Sequence, residues 1–256
     1  MSEQLIPKQI HYCWFGRGEK PQLAVRCLES WKKYCPDYGM TEWNEDNFDV
    51  DQFAYAREAY AAGKYAFVAD VARLYVLYHK GGIYMDTDVE VLRPLEAFLT
   101  DHAFSGFETD ELMPTGIIGA EQGNPWVWNM LQPYAVRQFR KEDGTLDCTT
   151  NTQTITKACL AECGLKLDGR KQELKGGVVI YPRDYFCPKD SGTGKTVLTD
   201  NTYTIHHFAA SWLAPEQRMK HQVAKALRSC VGESGYQRLR RLLVHRSKET
   251  GPGASQ

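Results

Sequence analysis

Residues 79–92 read HKGGIYMDTDVEVL, and Asp86 and Asp88 stand one residue apart at the end of an apolar run. Alternate residues of a strand share a face, so the two carboxylates project together if the strand continues through them. Carboxylates that close repel each other unless positive charge lies between or beyond them. A divalent cation answers that need: carboxylate oxygens are hard donors suited to magnesium or manganese, and such an ion in turn clamps phosphate oxygens. Two aspartates at this spacing also occur in solvated turns, but the apolar segment 81–85 leading into them is not what a surface turn carries. Asp70 and Arg73 lie upstream in FVADVARLYVLY, one helical turn apart. On an exposed helix such a pair contributes only about 0.2–0.5 kcal/mol. Inside an apolar amphipathic helix the charges cost free energy unless they are paired or used, and a guanidinium suits bidentate contacts to phosphate or hydroxyl oxygens.

The elements that must position these groups alternate between strand and helix. KQIHYCWF (8–15) is rich in β-formers and precedes a Gly-rich turn; a helix opens near Pro21 and ends by Cys35-Pro36. A short strand (39–44) and a helix (51–63) follow. In 64–82, Phe67, Val71, Leu74 and Tyr78 recur at helical spacing and Gly81-Gly82 stops the pattern. Further strands are predicted at 102–108, 115–120, 175–182 and 203–208. A helix over 124–139 is interrupted at Pro133, and helices at 215–229 and 235–248 lead to a disordered tail. The alternation predicts an α/β fold with a mostly parallel central sheet flanked by helices, organised as one main domain (1–232), a basic amphipathic helix (233–248) and the tail (249–256).

FVADVARLYVLYHKGGIYMDTDVEVLRPL (67–95) resembles the sugar-binding DXD region of glycosyltransferase family 32 and the related glucosyltransferase domains of the large clostridial toxins. IPKQIHYCWFG (6–16) resembles the first strand of those families, and TIHHFAASW (204–212) their closing segment. The three pieces occur in the family's order. Between 97 and 200 the match is weak, and TTNTQTIT (149–156) stands where many members carry a Gly-Pro pair, which bears on the acceptor side. The resemblance implies a GT-A fold and a metal-dependent, retaining transfer of a hexose from a UDP- or GDP-sugar to a glycan or lipid-linked glycan acceptor, in bacterial capsular or surface polysaccharide synthesis. It implies that Trp14 stacks on the base and that Asp70 and Arg73 hydrogen-bond the donor sugar. Asp86 would contact ribose, sugar or metal-bound water, and Asp88 would ligate manganese or magnesium directly. One of His206 and His207 would add a ligand, and Ser211 and Trp212 would close over the diphosphate. In a strand the two histidines point opposite ways, so at most one faces the metal.

Composition names no partner: the 256-residue chain has a net charge of −1. The basic residues crowd the C-terminal part, where Leu239, Leu242 and Leu243 form one face and Arg240, Arg241 and Arg246 surround it. That helix is either an interfacial anchor or a packed terminal helix with a solvated face. Together with the absence of a signal-peptide core in MSEQLIPKQI, this suggests a cytoplasmic protein, peripheral on the inner membrane face, with no nucleic-acid partner. Eight cysteines without a CxxC pair read as reduced packing residues, with a zinc site at Cys159 and Cys163 as the alternative. SGTGKT (191–196) mimics a phosphate loop, but Lys189 stands where its first glycine belongs. The rival enzyme class is a magnesium-dependent phosphohydrolase using the first aspartate as nucleophile; Glu90 stands where that class carries Thr or Val.

Overall fold

The computed structural model describes residues 3–113, 116–209 and scattered positions from Met219 to Arg238. The elements run β1 (Gln9–Cys13), α1 (Gln22–Tyr34), β2 (Gly39–Trp43), α2 (Ala54–Ala61), α3 (Tyr65–Lys80), β3 (Gly82–Met85), β4 (Val89–Val91), β5 (Ala103–Gly106), β6 (Ile117–Ala120), α4 (Pro125–Leu131), α5 (Asn151–Ala158), β7 (Gln172–Leu174), β8 (Val178–Tyr181), α6 (Arg183–Phe186) and β9 (Thr204–His206).

Seven strands form one sheet in the order β2-β1-β3-β6-β5-β8-β7, and β4 pairs with β9 in a separate two-stranded sheet. In the large sheet β1, β2, β3, β5 and β8 run one way, and β6 and β7 run the other. The architecture is the expected α/β class, with five of seven strands sharing a direction. Sequence reading missed β7, which hairpins onto β8 through Gly176-Gly177.

The sheet separates two cores. One gathers α2, α3 and α4 residues such as Tyr55, Val71, Leu74 and Val127; the other gathers Trp31 of α1 with Ile10, Phe98, Phe104 and Phe186. Strand β3 lies between them and is buried throughout. Its alternation is clean: Tyr84 belongs to the α3-side core, while Ile83 and Met85 belong to the α1-side core. Gly82 opens β3 at φ +103°, and a β-carbon there would lie 2.5 Å from the Gln9 carbonyl oxygen, so only glycine lets β3 approach β1 this closely.

Two sequence readings change here. IYMDTDVEVL is not one strand: β3 stops at Met85, a turn follows in which the Val89 N–H donates to the Asp86 carbonyl (2.9 Å), and β4 restarts in the other sheet. The 124–139 segment leaves the α-helix after Leu131. Pro133 sits in a 3₁₀ turn (Gln132–Ala135), because its ring removes an N–H and crowds the preceding turn.

The chain divides into two compact units, residues 1–188 with 197–212, and 189–196 with 213–256. The described positions between Met219 and Arg238 are helical. Ser211, Trp212, most of 235–248 and the tail lie outside the described residues. In 189–196 the chain forms a small loop closed by a Lys189–Thr196 bridge and pinned by Asp190, whose Oδ1 accepts from the Thr193 hydroxyl (2.7 Å). No helix follows it as a phosphate loop requires.

Candidate active site at the C-terminal edge of the sheet

In a sheet of this kind, ligands gather beyond the C-terminal ends of the parallel strands. β1 and β3 are parallel neighbours, with Ile10 opposite Ile83 and His11 opposite Tyr84. Trp14, one residue past β1, and Asp86, one past β3, therefore leave the sheet at the same edge. Trp14 is half-buried; its indole N–H donates to the Gly18 carbonyl (2.6 Å), and Lys20 Nζ lies 5.6 Å from its ring centroid.

The alternation of β3 continues one residue past its end. Asp86 falls on the side of Tyr84, facing α3, and the Tyr84 hydroxyl donates to Asp86 Oδ1 (2.8 Å). From α3, Arg73 Nη2 lies 3.1 Å from Asp70 Oδ1 and 3.2 Å from Asp86 Oδ1, with its guanidinium carbon 4.6 Å from the Tyr84 ring centroid. Asp70 and Arg73 are both buried. Burial lifts the Asp70 carboxyl to about 6 although Arg73 pulls the other way, and the Asp86 charge adds to the rise. For Arg73 burial opposes the charge, but Asp86 and Asp70 more than offset it, so the guanidinium is held charged.

Asp88 reaches the site by a different route. The turn carries it to β9, where the His207 N–H donates to the Asp88 carbonyl (2.9 Å) and the Ala209 N–H to Asp88 Oδ2 (2.7 Å). Its Oδ1 faces His206 Nε2 at 3.3 Å. Burial alone would raise the Asp88 pKa, but the His206 charge and these donors hold it down at about 2; His206 is correspondingly raised well above its ordinary value against the pull of burial. α1 braces the turn from the other side: the Trp31 indole donates to the Val89 carbonyl (2.7 Å) and the Val91 N–H to the Ser30 hydroxyl (2.9 Å).

Asp86, Asp88 and His206 each offer a ligand atom, all within 4.8 Å of one another, the one such group among the described residues. His206 Nδ1 is buried without a hydrogen-bond partner; the Cys187 thiol lies close enough to influence the ring's charge but makes no aligned bond to it. Gly116 leaves room for the imidazole, since a β-carbon there would lie 3.0 Å from Nδ1. Two carboxylates and an imidazole, with ligand atoms this close together, fit a divalent cation such as manganese or magnesium. His207 points away, with Nε2 2.7 Å from Glu90 Oε2. The proposed pairing of Asp86 with Asp88 by strand alternation is thus corrected: they meet through a turn, and the residue that shares a strand face with Asp86 is Tyr84. No cysteine joins the group, and all the described cysteines are free thiols.

Sequence reasoning missed three contributors. Tyr84 was visible two residues before Asp86. Asn151 opens α5 within the TTNTQTIT segment; it is buried, its Nδ2 leans on the Asp70 carbonyl at 3.5 Å, and its Oδ1 has no partner. Glu108, just beyond β5, is lifted above the ordinary carboxyl range by burial, with His206 opposing and Asp86 adding.

Residues 21–105 match the family model described as a glycosyltransferase sugar-binding region containing a DXD motif. The chain is similar to inositol phosphoceramide mannosyltransferase 3 of Schizosaccharomyces pombe, 28% identical over 131 residues, which cover 50% of this chain and 36% of that protein. It is also similar to mannosyl phosphorylinositol ceramide synthase CSH1 of Saccharomyces cerevisiae, 29% identical over 142 residues, covering 54% and 37%. It thus spans little more than a third of the length of these relatives. Among solved structures it is similar to the PaToxG glycosyltransferase, with a TM-score of 0.49 and 20% identity, covering 61% of this chain and 70% of that one.

Proposed function

We propose that the chain is a glycosyltransferase of the DXD-containing kind, as the match of residues 21–105 supports, and that it moves a hexose from a nucleotide-sugar to a glycan or lipid-linked acceptor in a metal-dependent reaction that retains anomeric configuration. The observation that carries the reading is the convergence of Asp86, Asp88 and His206 beside the buried Asp70–Arg73 pair. Asp88 and His206 would hold a divalent cation, with Asp86 completing the set directly or through water. When bound, that cation neutralises charge gathering on the departing diphosphate. Trp14, at the same sheet edge, offers a face for the base. Arg73 would donate to a sugar hydroxyl without leaving Asp86, and Asp70 accepts one and favours the positive character of the sugar as its bond to phosphate breaks. The free Oδ1 of Asn151 would take a further hydroxyl. As the anomeric carbon parts from the phosphate oxygen it bonds the acceptor oxygen from the same face, and the acceptor proton passes to the departing phosphate.

The similar fungal proteins are named for mannosyl transfer to inositol phosphoceramide. That supports mannose among the candidate sugars and a lipid-linked acceptor, and widens the setting beyond bacterial surface polysaccharide. No helix among the described residues is long and apolar enough to cross a membrane. On this reading residues 1–232 form the transferase, and the basic segment 233–248 holds it peripherally to the cytoplasmic membrane face. Flotation with anionic liposomes, with and without residues 235–256, tests that placement; equal binding removes it.

The phosphohydrolase reading needs Asp86 as a free nucleophile, whereas its Oδ1 is engaged by Tyr84 and Arg73. A thermal-shift and hydrolysis panel of UDP- and GDP-sugars with manganese tests the proposal. Stabilisation and release of the nucleoside diphosphate by one donor are expected; a flat response, with turnover of simple phosphomonoesters, overturns it.

A further inference from the structure

Phe208 follows His206 and His207 with a backbone φ of +55°, a left-handed conformation that is uncommon for any residue with a side chain and rarer for a bulky one. Such outliers persist where the surroundings over-determine them. Two contacts do so here. Because the chain kinks at Phe208, the next N–H, that of Ala209, turns back onto Asp88 Oδ2 at 2.7 Å. On the other side of the kink, the His207 N–H holds the Asp88 carbonyl at 2.9 Å. The Phe208 ring lies over the His206 imidazole, with centroids 4.3 Å apart and planes 33° apart. Across from it, Gly116 leaves the space the imidazole fills. One residue therefore bears on both groups that face each other at 3.3 Å, Asp88 through its backbone and His206 through its ring.

We propose that Phe208 is a positioning residue for the metal centre: its left-handed backbone commits Asp88 Oδ2 to the Ala209 N–H, leaving Oδ1 for the ion, and its ring fixes the plane of His206. The inference rests on the metal-dependent reading of the site, and it concerns orientation before any nucleotide arrives. Backbone and ring make separable contributions. Valine is branched at Cβ and resists a left-handed backbone, so Phe208→Val strikes both. Glycine accepts that backbone freely, so Phe208→Gly removes only the ring. Tyrosine keeps both.

The test is titration of the full chain with manganese alone, followed by electron paramagnetic resonance of the free ion, and repeated with UDP or GDP present. Circular dichroism and melting temperature report the fold. Phe208→Val should weaken manganese binding by about ten- to a hundredfold, the range found when a group that orients a metal ligand is lost. Phe208→Gly should weaken it by a smaller factor, and Phe208→Tyr should restore the wild-type value. A folded Phe208→Val chain with wild-type manganese affinity overturns the proposal while leaving the metal site intact. If Phe208→Val does not fold, the glycine and tyrosine chains decide: equal affinity in both refutes the role of the ring. Absence of manganese binding by the wild-type chain overturns this inference together with the metal-dependent reading.

Discussion

Arg73 on helix α3 reaches Asp86 beyond the end of β3, Nη2 to Oδ1 at 3.2 Å, with Arg73 buried and Asp86 half-buried. The same guanidinium holds Asp70, so one cation ties helix α3 to the end of β3. Replacing it by lysine keeps charge but loses the fork that serves two carboxylates. Arg73→Lys should lower turnover of the nucleotide-sugar about tenfold or more while changing nucleoside diphosphate affinity little. Arg73→Met leaves the buried Asp70 carboxylate without its cation and should destabilise the chain by about 3–5 kcal/mol. Urea unfolding and steady-state kinetics read the two effects apart.

Asp88→Ala should abolish metal-dependent turnover, at least about a hundredfold, and weaken manganese binding in a chain that still folds. Near-normal metal-dependent rates in a folded variant would refute its role.

The two adjacent histidines should behave oppositely. His206→Ala removes a ligand atom from the group of three and should cost metal affinity. His207→Ala removes a partner of the half-exposed Glu90 and should shift stability by about 1 kcal/mol or less with metal affinity unchanged. Calorimetric titration of both variants with manganese checks this.

Asp70 should write itself into the pH dependence of stability. Its folded pKa, about 6, lies above the ordinary carboxyl value of 3.8 because it is buried. The folded state therefore binds the proton first, and as pH falls from about 6 towards 3.8 this group adds stability, on the order of 3 kcal/mol at most. Above pH 6 the ionised carboxylate carries its full burial penalty. Melting temperatures of wild type minus Asp70→Asn should rise between pH 7 and pH 4.5; a flat difference would remove the shift.

Asn151→Ala should reduce donor-sugar turnover about tenfold, the scale of one lost hydrogen bond, and leave nucleoside diphosphate binding within about twofold. Deoxy-sugar donors supply the check. The donor lacking the hydroxyl that Asn151 takes should be turned over equally by variant and wild type.

Much of this architecture was legible in the sequence, because it depends on local rules. Period-3.6 apolar residues in α3 and glycine stops each act over a few residues, and the residues of β1, β8 and β9 are placed by such rules to within a few positions. The order of chemical groups along the chain was enough to raise a metal and to name Asp70, Arg73, Asp86 and Asp88. What local rules cannot give is pairing between distant segments. That β6 and β7 run against their neighbours, and that the strand-like stretch breaks at Asp86 and restarts in another sheet, follow from which strands pack beside it.

The sequence by itself determined which side chains could hold charge, and that Asp70 and Arg73 share a helix face, because helical geometry is set residue by residue. Only the tertiary structure decided that His206 rather than His207 joins the carboxylates, that Tyr84 and Asn151 belong to the site, and that Asp88 arrives by a turn. Those outcomes rest on contacts between residues up to about 120 positions apart, as Ala209 and Asp88 are. Such contacts form only when whole elements are buried against one another, and no short-range preference along the chain encodes them.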